Sequence, residues 1–179
     1  MTSLLILYST TDGHTLEICQ RLQHVVATHA EVPGHEVKVI NLNDVTNTRL
    51  ESFDKIVLGA SIRYGRHQPQ VYQFIKSNRS LLEKTPCAFF TVNVVARKPE
   101  KSQPDTNPYL LKFLKKTSWK PDRLAVFAGQ IDYQHYSFWD KQIIRFIMWM
   151  THGPTDVNTK IDYTNWDDVD KFASEIIGM

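Results

Sequence analysis

Residues 4–15 are Leu4-Leu5-Ile6-Leu7-Tyr8-Ser9-Thr10-Thr11-Asp12-Gly13-His14-Thr15, an apolar run that leads directly into a hydroxyl-rich turn. A short continuous apolar run predicts a strand covered on both faces of a parallel sheet. Apolar residues then recur at helical spacing from residue 14 to about residue 29, which predicts a helix. The turn therefore precedes a helix N-terminus, where free N–H groups and the helix dipole favour an anion.

The turn has the chemistry of a phosphate site. The hydroxyls of Ser9, Thr11 and Thr15 can donate to phosphate oxygens, and Gly13 lets the backbone approach closely. Neither the GxxxxGKS/T pattern of a P-loop nor the GxGxxG dinucleotide fingerprint is present. We therefore expect a monophosphate held by hydroxyls and amides without metal. A plainer alternative is that Thr11 or Asp12 only caps the helix.

The remaining chain alternates strands and helices. Strands are predicted at residues 4–8, 35–41, 56–60, 86–93 and 124–129, and helices at 14–29, 70–82, about 110–114 and 166–177. This alternation predicts an α/β fold with a doubly wound five-stranded parallel sheet. No linker or repeat interrupts the pattern, so we expect a single domain over residues 1–179.

An insert of about residues 133–159 separates the fifth strand from the last helix and is too long for an ordinary connection. Nine of the thirteen residues from Phe138 to Met150 are apolar or aromatic. They predict a helix of about 20 Å, too short to cross a bilayer. Residues 160–164 could form a returning edge strand.

The helix of the insert could lie in a membrane interface. We expect its lipid-facing residues to be Trp139, Phe146, Ile147 and Trp149, beside the cations Lys141 and Arg145. Such a position would bring the protein close to a membrane quinone. The alternative is that this aromatic stripe packs on its own domain.

Composition and charge restrict the functional class. The 42% hydrophobic content is ordinary for a soluble protein, and residues 1–8 lack the features of a signal peptide. Cys19 and Cys87 have no metal-binding spacing, so we expect buried, inert thiols in a reducing cytoplasm and no metal site. Residues 60–150 carry fifteen Lys or Arg against six Asp or Glu, which favours anionic partners. No motif suggests nucleic-acid binding.

The hydroxyl-rich turn resembles the (Ser or Thr)-x-Thr-x-x-x-Thr phosphate loop of flavodoxins, whose ligand is FMN. This resemblance implies the strand order 2-1-3-4-5 and a flavin ring between the loops after strands three and four. Those loops contain Ser61, Ile62, Arg63, Tyr64, Gly65, Asn93, Val94, Val95, Ala96 and Arg97. Tyr64 is the candidate for stacking on the ring. His14 is expected mainly to hold the ligand, with a proton shuttle as the alternative.

Longer segments resemble the bacterial menaquinone-dependent protoporphyrinogen IX dehydrogenases of haem biosynthesis. They are residues 7–15, 59–65, 92–101, 133–150 and 163–166. The resemblance implies an FMN-dependent oxidoreductase at the cytoplasmic face of the membrane that passes electrons from protoporphyrinogen IX to menaquinone or ubiquinone. The flavin would carry the chemistry, so no catalytic side chain is expected. The basic residues implied to pair with substrate propionates are Arg63, Arg66, Arg97, Lys98 and Lys101.

Three other functions fit the same fold. An electron-transfer flavodoxin is disfavoured by the basic middle of the chain, since such carriers tend to be strongly acidic. An NAD(P)H:quinone reductase would be supported by rapid flavin reduction with NADPH. A flavin-free signalling module would need an acidic cluster at the strand ends, which Asp12 alone does not supply.

Overall fold

The fold is that of a three-layered α/β protein, described by a computed structural model at residues 2–29, 36–133, 136–150 and 153–179. Five parallel strands form the main sheet: β1 (Ser3–Ser9), β2 (Glu36–Asn41), β3 (Lys55–Ser61), β4 (Cys87–Val92) and β5 (Arg123–Phe127). Their order is β2-β1-β3-β4-β5, which confirms the predicted fold class. The order reverses at β1, and ligands of open α/β sheets bind at the carboxyl ends of the strands beside such a reversal.

Helices cover both faces of the sheet. They are α1 (His14–His29), α2 (Pro69–Ser77), α3 (Arg79–Leu82), α4 (Pro108–Thr117), α5 (Phe138–Met150) and α6 (Trp166–Ile177). Alternate residues of β1 point to opposite faces, as the period of a strand requires. Leu4 and Ile6 pack in the core cluster with α1 and α6, whereas Leu5 and Leu7 pack in the cluster with α2, α3 and α4.

Two predicted elements differ from the structure. The helix predicted over 70–82 is interrupted at Asn78, whose side-chain amide donates to the Phe74 carbonyl at 2.9 Å and so competes with the helical hydrogen bonds. The predicted edge strand forms as β7 (Lys160–Asp162), but it pairs antiparallel with β6 (Gln130–Asp132) in a separate two-stranded sheet. Sequence analysis had not predicted β6.

The insert has a small hydrophobic cluster of its own. Ile131, Tyr133, Tyr136 and Met148 are buried there, with Val94, Ile144, Ile147 and Tyr163 packed around them. The insert therefore begins at β6 and ends at β7, so it is slightly longer than the predicted residues 133–159. Among the described residues, no helix combines the length and apolarity needed to cross a bilayer.

Both cysteines are buried, as predicted. Burial raises the pKa of Cys19 above its ordinary value. Burial, together with the charge of Asp122, raises the pKa of Cys87 to about 12. Both thiols are therefore protonated at neutral pH, and a protonated thiol is a poor nucleophile.

Candidate functional site

A cavity of about 820 Å³ lies at the carboxyl ends of β1, β3 and β4. Thirteen of the predicted cofactor-binding residues line it: Thr10, Asp12, His14, Thr15, Ser61, Ile62, Arg63, Tyr64, Gly65, Asn93, Val94, Val95 and Arg97. Ser9, Thr11, Gly13 and Ala96 belong to the same loops but do not line the cavity. The three loops that the sequence indicated are therefore brought together around one space.

Each of the three loops contributes a buried polar atom that has no hydrogen-bond partner in the described part of the chain. These atoms are Thr15 Oγ1, Ser61 Oγ and Asn93 Nδ2. Leaving a buried polar group unpaired costs about 1–3 kcal/mol, so such groups are rare in folded proteins. Their concentration around one cavity is typical of a site that is completed by a polar ligand.

The first loop is shaped by a tight turn. Gly13 has a φ of +87°, a conformation that favours glycine, and its N–H donates to Thr10 Oγ1 at 3.0 Å. The Thr11 hydroxyl instead accepts from Gln68 Nε2, and the Asp12 carboxylate accepts from Arg63 Nη1. The turn leaves Thr15 in the first turn of α1, where anions bind readily.

Gln68, which is distant in sequence, stabilises this loop through side-chain hydrogen bonds. Its Nε2 donates to the Thr10 carbonyl at 3.2 Å and to Thr11 Oγ1 at 3.1 Å. Its Oε1 accepts from Ser9 Oγ at 3.1 Å, so the Ser9 hydroxyl supports the loop instead of lining the cavity. Sequence analysis missed Gln68, and its position directly before the N-terminal Pro69 of α2 was the only local signal.

His14 is held by protein partners at both ring nitrogens. Nδ1 lies 3.0 Å from Glu17 Oε2, and Nε2 lies 2.6 Å from Thr164 Oγ1. The Thr164 hydroxyl in turn donates to the Ala128 carbonyl at 2.7 Å. His14 therefore ties the first loop to the segment between β7 and α6, although the residue also lines the cavity.

Arg63 links the first loop to the insert. Its Nη1 lies 2.8 Å from Asp12 Oδ1, and its Nη2 lies 2.6 Å from Asp140 Oδ2 on α5. The Tyr64 hydroxyl donates to the same Asp140 carboxylate. Hydrogen bonds from Tyr64 and Ser137 lower the pKa of Asp140, while the bond to Asp140 raises the pKa of Tyr64. Two carboxylates thus compensate the charge of Arg63.

The other basic candidates separate into two groups. Arg97 and Lys101 line the cavity, whereas Arg66 and Lys98 lie outside its lining. Arg66 is exposed and meets Arg63 through backbone hydrogen bonds. The structure therefore brings Arg97 and Lys101, in addition to Arg63, to the cavity, and leaves the other two predicted substrate cations outside its lining.

Two aromatic residues of the cavity were not predicted. Tyr109, at the start of α4, lines the cavity with its ring edge near Gly65. Tyr136, in the insert, also lines it, and its ring centroid lies 5.6 Å from the Arg63 guanidinium carbon. Sequence analysis had named only Tyr64 as an aromatic residue of the site.

Helix α5 presents two different faces. Trp139, Phe146 and Trp149 are 75%, 59% and 69% exposed. Ile147 was grouped with them but lines the cavity, together with Ile144, Met148 and Met150. The alternative that the helix packs on its own domain is therefore correct for the inner face and wrong for the outer aromatic face.

The fold and this site define a flavodoxin-like protein. Residues 5–158 match the model of the flavodoxin domain family. Flavodoxin 1 from Bacillus cereus superposes with a TM-score of 0.55 at 16% identity, over 99% of this chain and 98% of that one. A short-chain flavodoxin associated with a bacterial microcompartment superposes with a TM-score of 0.56 at 10% identity, over 99% and 98% of the two chains. These likenesses concern the fold alone.

Sequence similarity over nearly all of this chain is more specific. The protoporphyrinogen IX dehydrogenase (quinone) of Escherichia coli K12 is 42% identical over 172 residues, which cover 96% of this chain and 93% of that relative. The protein of the same name from Leishmania major is 41% identical over 175 residues, which cover 98% of this chain and 74% of the relative. The chain belongs to the protoporphyrinogen IX dehydrogenase (quinone) family of flavodoxin-domain proteins.

Proposed function

We propose that this protein is an FMN-dependent oxidoreductase that converts protoporphyrinogen IX to protoporphyrin IX in haem biosynthesis and passes the electrons to menaquinone. The observation that carries the proposal is the cavity with an unpaired buried polar atom on each of its three loops. The names of the relatives supply the substrate and the class of electron acceptor. Menaquinone, in place of ubiquinone, follows from the bacterial sequence resemblance.

The residues of the cavity fit FMN. Thr10, in the loop before α1, and Thr15, in its first turn, suit the phosphate, because this end of the helix has free N–H groups and a favourable dipole. Ser61 and Asn93 suit the polar edge of the ring, since each has a buried atom without a partner. When bound, FMN supplies the electron and hydride transfer that side chains lack.

The protein's own contribution is to bind, orient and shield. The Asn93 side chain is oriented by its own Oδ1, which accepts from the Ala96 N–H and from Asn107 Nδ2, both at 3.2 Å. Ile144, Ile147 and Met148 line the cavity from α5, and their apolar side chains would exclude water from a bound ligand. We assign no nucleophile and no catalytic dyad to the reaction.

A tetrapyrrole and a quinone are both large and mainly apolar, and the cavity suits such ligands. Its walls include Ile62, Val94 and Val95 on the loops and Ile144 and Ile147 on α5. Apolar walls with a few convergent polar groups are typical of sites for such molecules. The proposal therefore has the cofactor and an apolar partner occupy the same cavity side by side.

We also propose that the outer face of α5 rests on the cytoplasmic surface of the membrane. Its exposed aromatic residues are flanked by Lys141 and Arg145, and this combination suits an anionic lipid surface. Because the inner face of the same helix lines the cavity, contact with the membrane would bring the cavity close to dissolved quinone. The protein would then be a peripheral membrane protein.

The test is an anaerobic assay of the FMN-loaded protein with protoporphyrinogen IX and a menaquinone analogue, followed by porphyrin fluorescence. The proposal expects fluorescence above the non-enzymatic rate only when flavin and quinone are both present. Substituting a ubiquinone analogue measures the preference for the acceptor. If no porphyrin forms while a flavodoxin reductase still reduces the flavin, the protein is an electron carrier. Rapid reduction by NADPH would instead indicate an NAD(P)H:quinone reductase.

A further inference from the structure

Residues 97–101 contribute two cations to the cavity lining, Arg97 and Lys101, which together are called the basic corner. Asp12 is the only acidic residue among the described residues that line the cavity, and it is paired with Arg63. Arg63 also pairs with Asp140, so its charge is compensated twice. Lys101 lines the cavity and forms no ion pair with any described residue. Arg97 lines the cavity from the same segment of the chain.

The backbone around these two cations is fixed. The Lys101 carbonyl accepts from Asn107 Nδ2 at 2.8 Å, and the fully buried Asn107 side chain also contacts Asn93 and caps α4. Arg97 Nη1 donates to the Val94 carbonyl at 3.0 Å, which orients the guanidinium plane. Fixing charged groups before a ligand arrives reduces the entropic cost of binding.

Apolar side chains adjoin this basic corner. Pro108 and Tyr109 line the cavity directly after Asn107, whose side chain bonds to the Lys101 carbonyl, and Ile147 and Met150 line it from α5. A free inorganic anion would use the charges and leave this apolar surface unused. A flat apolar molecule with carboxylates along one edge would use both, because Arg and Lys form strong charge-assisted hydrogen bonds with carboxylates.

We infer that Arg97 and Lys101 form a carboxylate subsite that holds the propionates of the tetrapyrrole, with its macrocycle against Tyr109 and the inner face of α5. Arg63 has a different role, as the link between the first loop and α5. The inference rests on the proposed function and deepens it, since it selects two cations from the five that the sequence offered. The two propionates are thereby directed away from the phosphate end of the cavity.

The experiment measures binding, not turnover. The FMN-loaded protein is titrated with protoporphyrin IX and, separately, with its dimethyl ester, and the dissociation constants are taken from porphyrin fluorescence. Lys101→Met and Arg97→Met should each raise the dissociation constant of the diacid about tenfold, as expected for a lost hydrogen bond to a charged group. Neither variant should change the dissociation constant of the ester, which carries no charge.

Controls separate this subsite from general damage. Lys101→Arg keeps a cation at the position and should bind the diacid nearly as wild type does. Lys112→Met removes an exposed cation of α4 and should change neither constant. Equal weakening of diacid and ester, or no weakening of either, would overturn the subsite while leaving the proposed function standing. If the wild type binds neither porphyrin, the subsite and the proposed function are both wrong.

Discussion

The Arg63 guanidinium lies 2.6 Å from the Asp140 carboxylate, and this pair joins the loop after β3 to the first turn of α5. The same guanidinium lies 2.8 Å from Asp12 in the loop after β1. Partial burial lowers the pKa of Arg63, but Asp12, Tyr64 and Asp140 together raise it above its ordinary value. Arg63 therefore remains charged and connects the loops after β1 and β3 to helix α5.

Asp140→Asn should loosen α5 without unfolding the sheet, because the rest of the helix is held by the separate hydrophobic cluster of the insert. A partly exposed ion pair contributes about 0.2–1 kcal/mol, so amide exchange in residues 138–150 should become up to about fivefold faster. Hydrogen exchange read by mass spectrometry measures this. Asp105→Asn, at an exposed site outside the insert, is the control. Unchanged exchange in α5 would show that the Arg63 pair does not hold the helix.

Local patterns predicted most of the fold, whereas long-range pairing limited the prediction of the site. Helices α5 and α6 have the bounds that the sequence indicated, because the helical spacing of their apolar residues lies entirely within each segment. The break at Asn78 was missed, because it depends on a side chain that competes for a backbone carbonyl.

Contacts within the site illustrate the same limit. Gln68 contacts the Thr10 carbonyl across 58 positions, and no local spacing reveals such a contact. Tyr109 and Tyr136 line the cavity from α4 and the insert, whereas the predicted cofactor site was limited to the loops after strands one, three and four. The position of the first loop at the cavity, in contrast, was predictable, since the strand, the turn and the helix N-terminus are consecutive in the sequence.

Thr15→Val should weaken FMN binding. Its hydroxyl is buried without a partner, so the variant removes an atom available to the phosphate while preserving shape. Loss of a hydrogen bond to a charged group should raise the dissociation constant about tenfold or more, measured by quenching of FMN fluorescence. The flavin-free protein should lose no stability, because the deleted hydroxyl has no partner there. Thr28→Val, on the same helix, is the matched control, since the Thr28 hydroxyl already bonds to the His24 carbonyl. Equal affinities in all three proteins would contradict the role of Thr15.

Gln68→Met should reduce the preference for FMN over riboflavin. The variant removes the hydrogen bonds that hold Ser9, Thr10 and Thr11, so the phosphate end of the cavity should lose its order while the ring end remains. We expect FMN to bind about tenfold more weakly and riboflavin to bind unchanged. Titration with the two flavins gives the ratio directly. Gln73→Met, exposed on α2, should leave that ratio unchanged. A parallel loss for both flavins would mean that Gln68 only stabilises the fold.

His67 should make the protein sensitive to acid. Burial lowers the pKa of His67 from its ordinary 6.5 to about 3, and its Nε2 lies 3.0 Å from Thr91 Oγ1. As the pH falls below 6.5, the unfolded chain takes up the proton before the folded protein does. The free energy of unfolding should therefore fall by about 2 kcal/mol between pH 7 and pH 5 from this group alone. Urea unfolding of wild type and His67→Gln at pH 7 and pH 5 measures this change in the free energy of unfolding. The variant should lack the part of the decrease that comes from His67. His24→Gln, at an exposed histidine, should behave as wild type. Identical pH dependence in wild type and His67→Gln would refute the prediction.

Trp149→Gln should weaken membrane binding while leaving flavin binding intact. The side chain is 69% exposed on the outer face of α5, away from the cavity lining, so its loss removes apolar surface only from the proposed lipid contact. Full burial of such a side chain contributes about 1.5–3 kcal/mol, so partitioning onto anionic vesicles should fall about tenfold in sedimentation. Leu111→Gln, at an exposed apolar site on α4, should leave partitioning unchanged.

Neutral vesicles should bind the wild type less than anionic vesicles, because Lys141 and Arg145 flank the aromatic face. If Trp149→Gln and wild type partition equally, α5 does not contact the bilayer through this face, and electron transfer to quinone must occur by another approach.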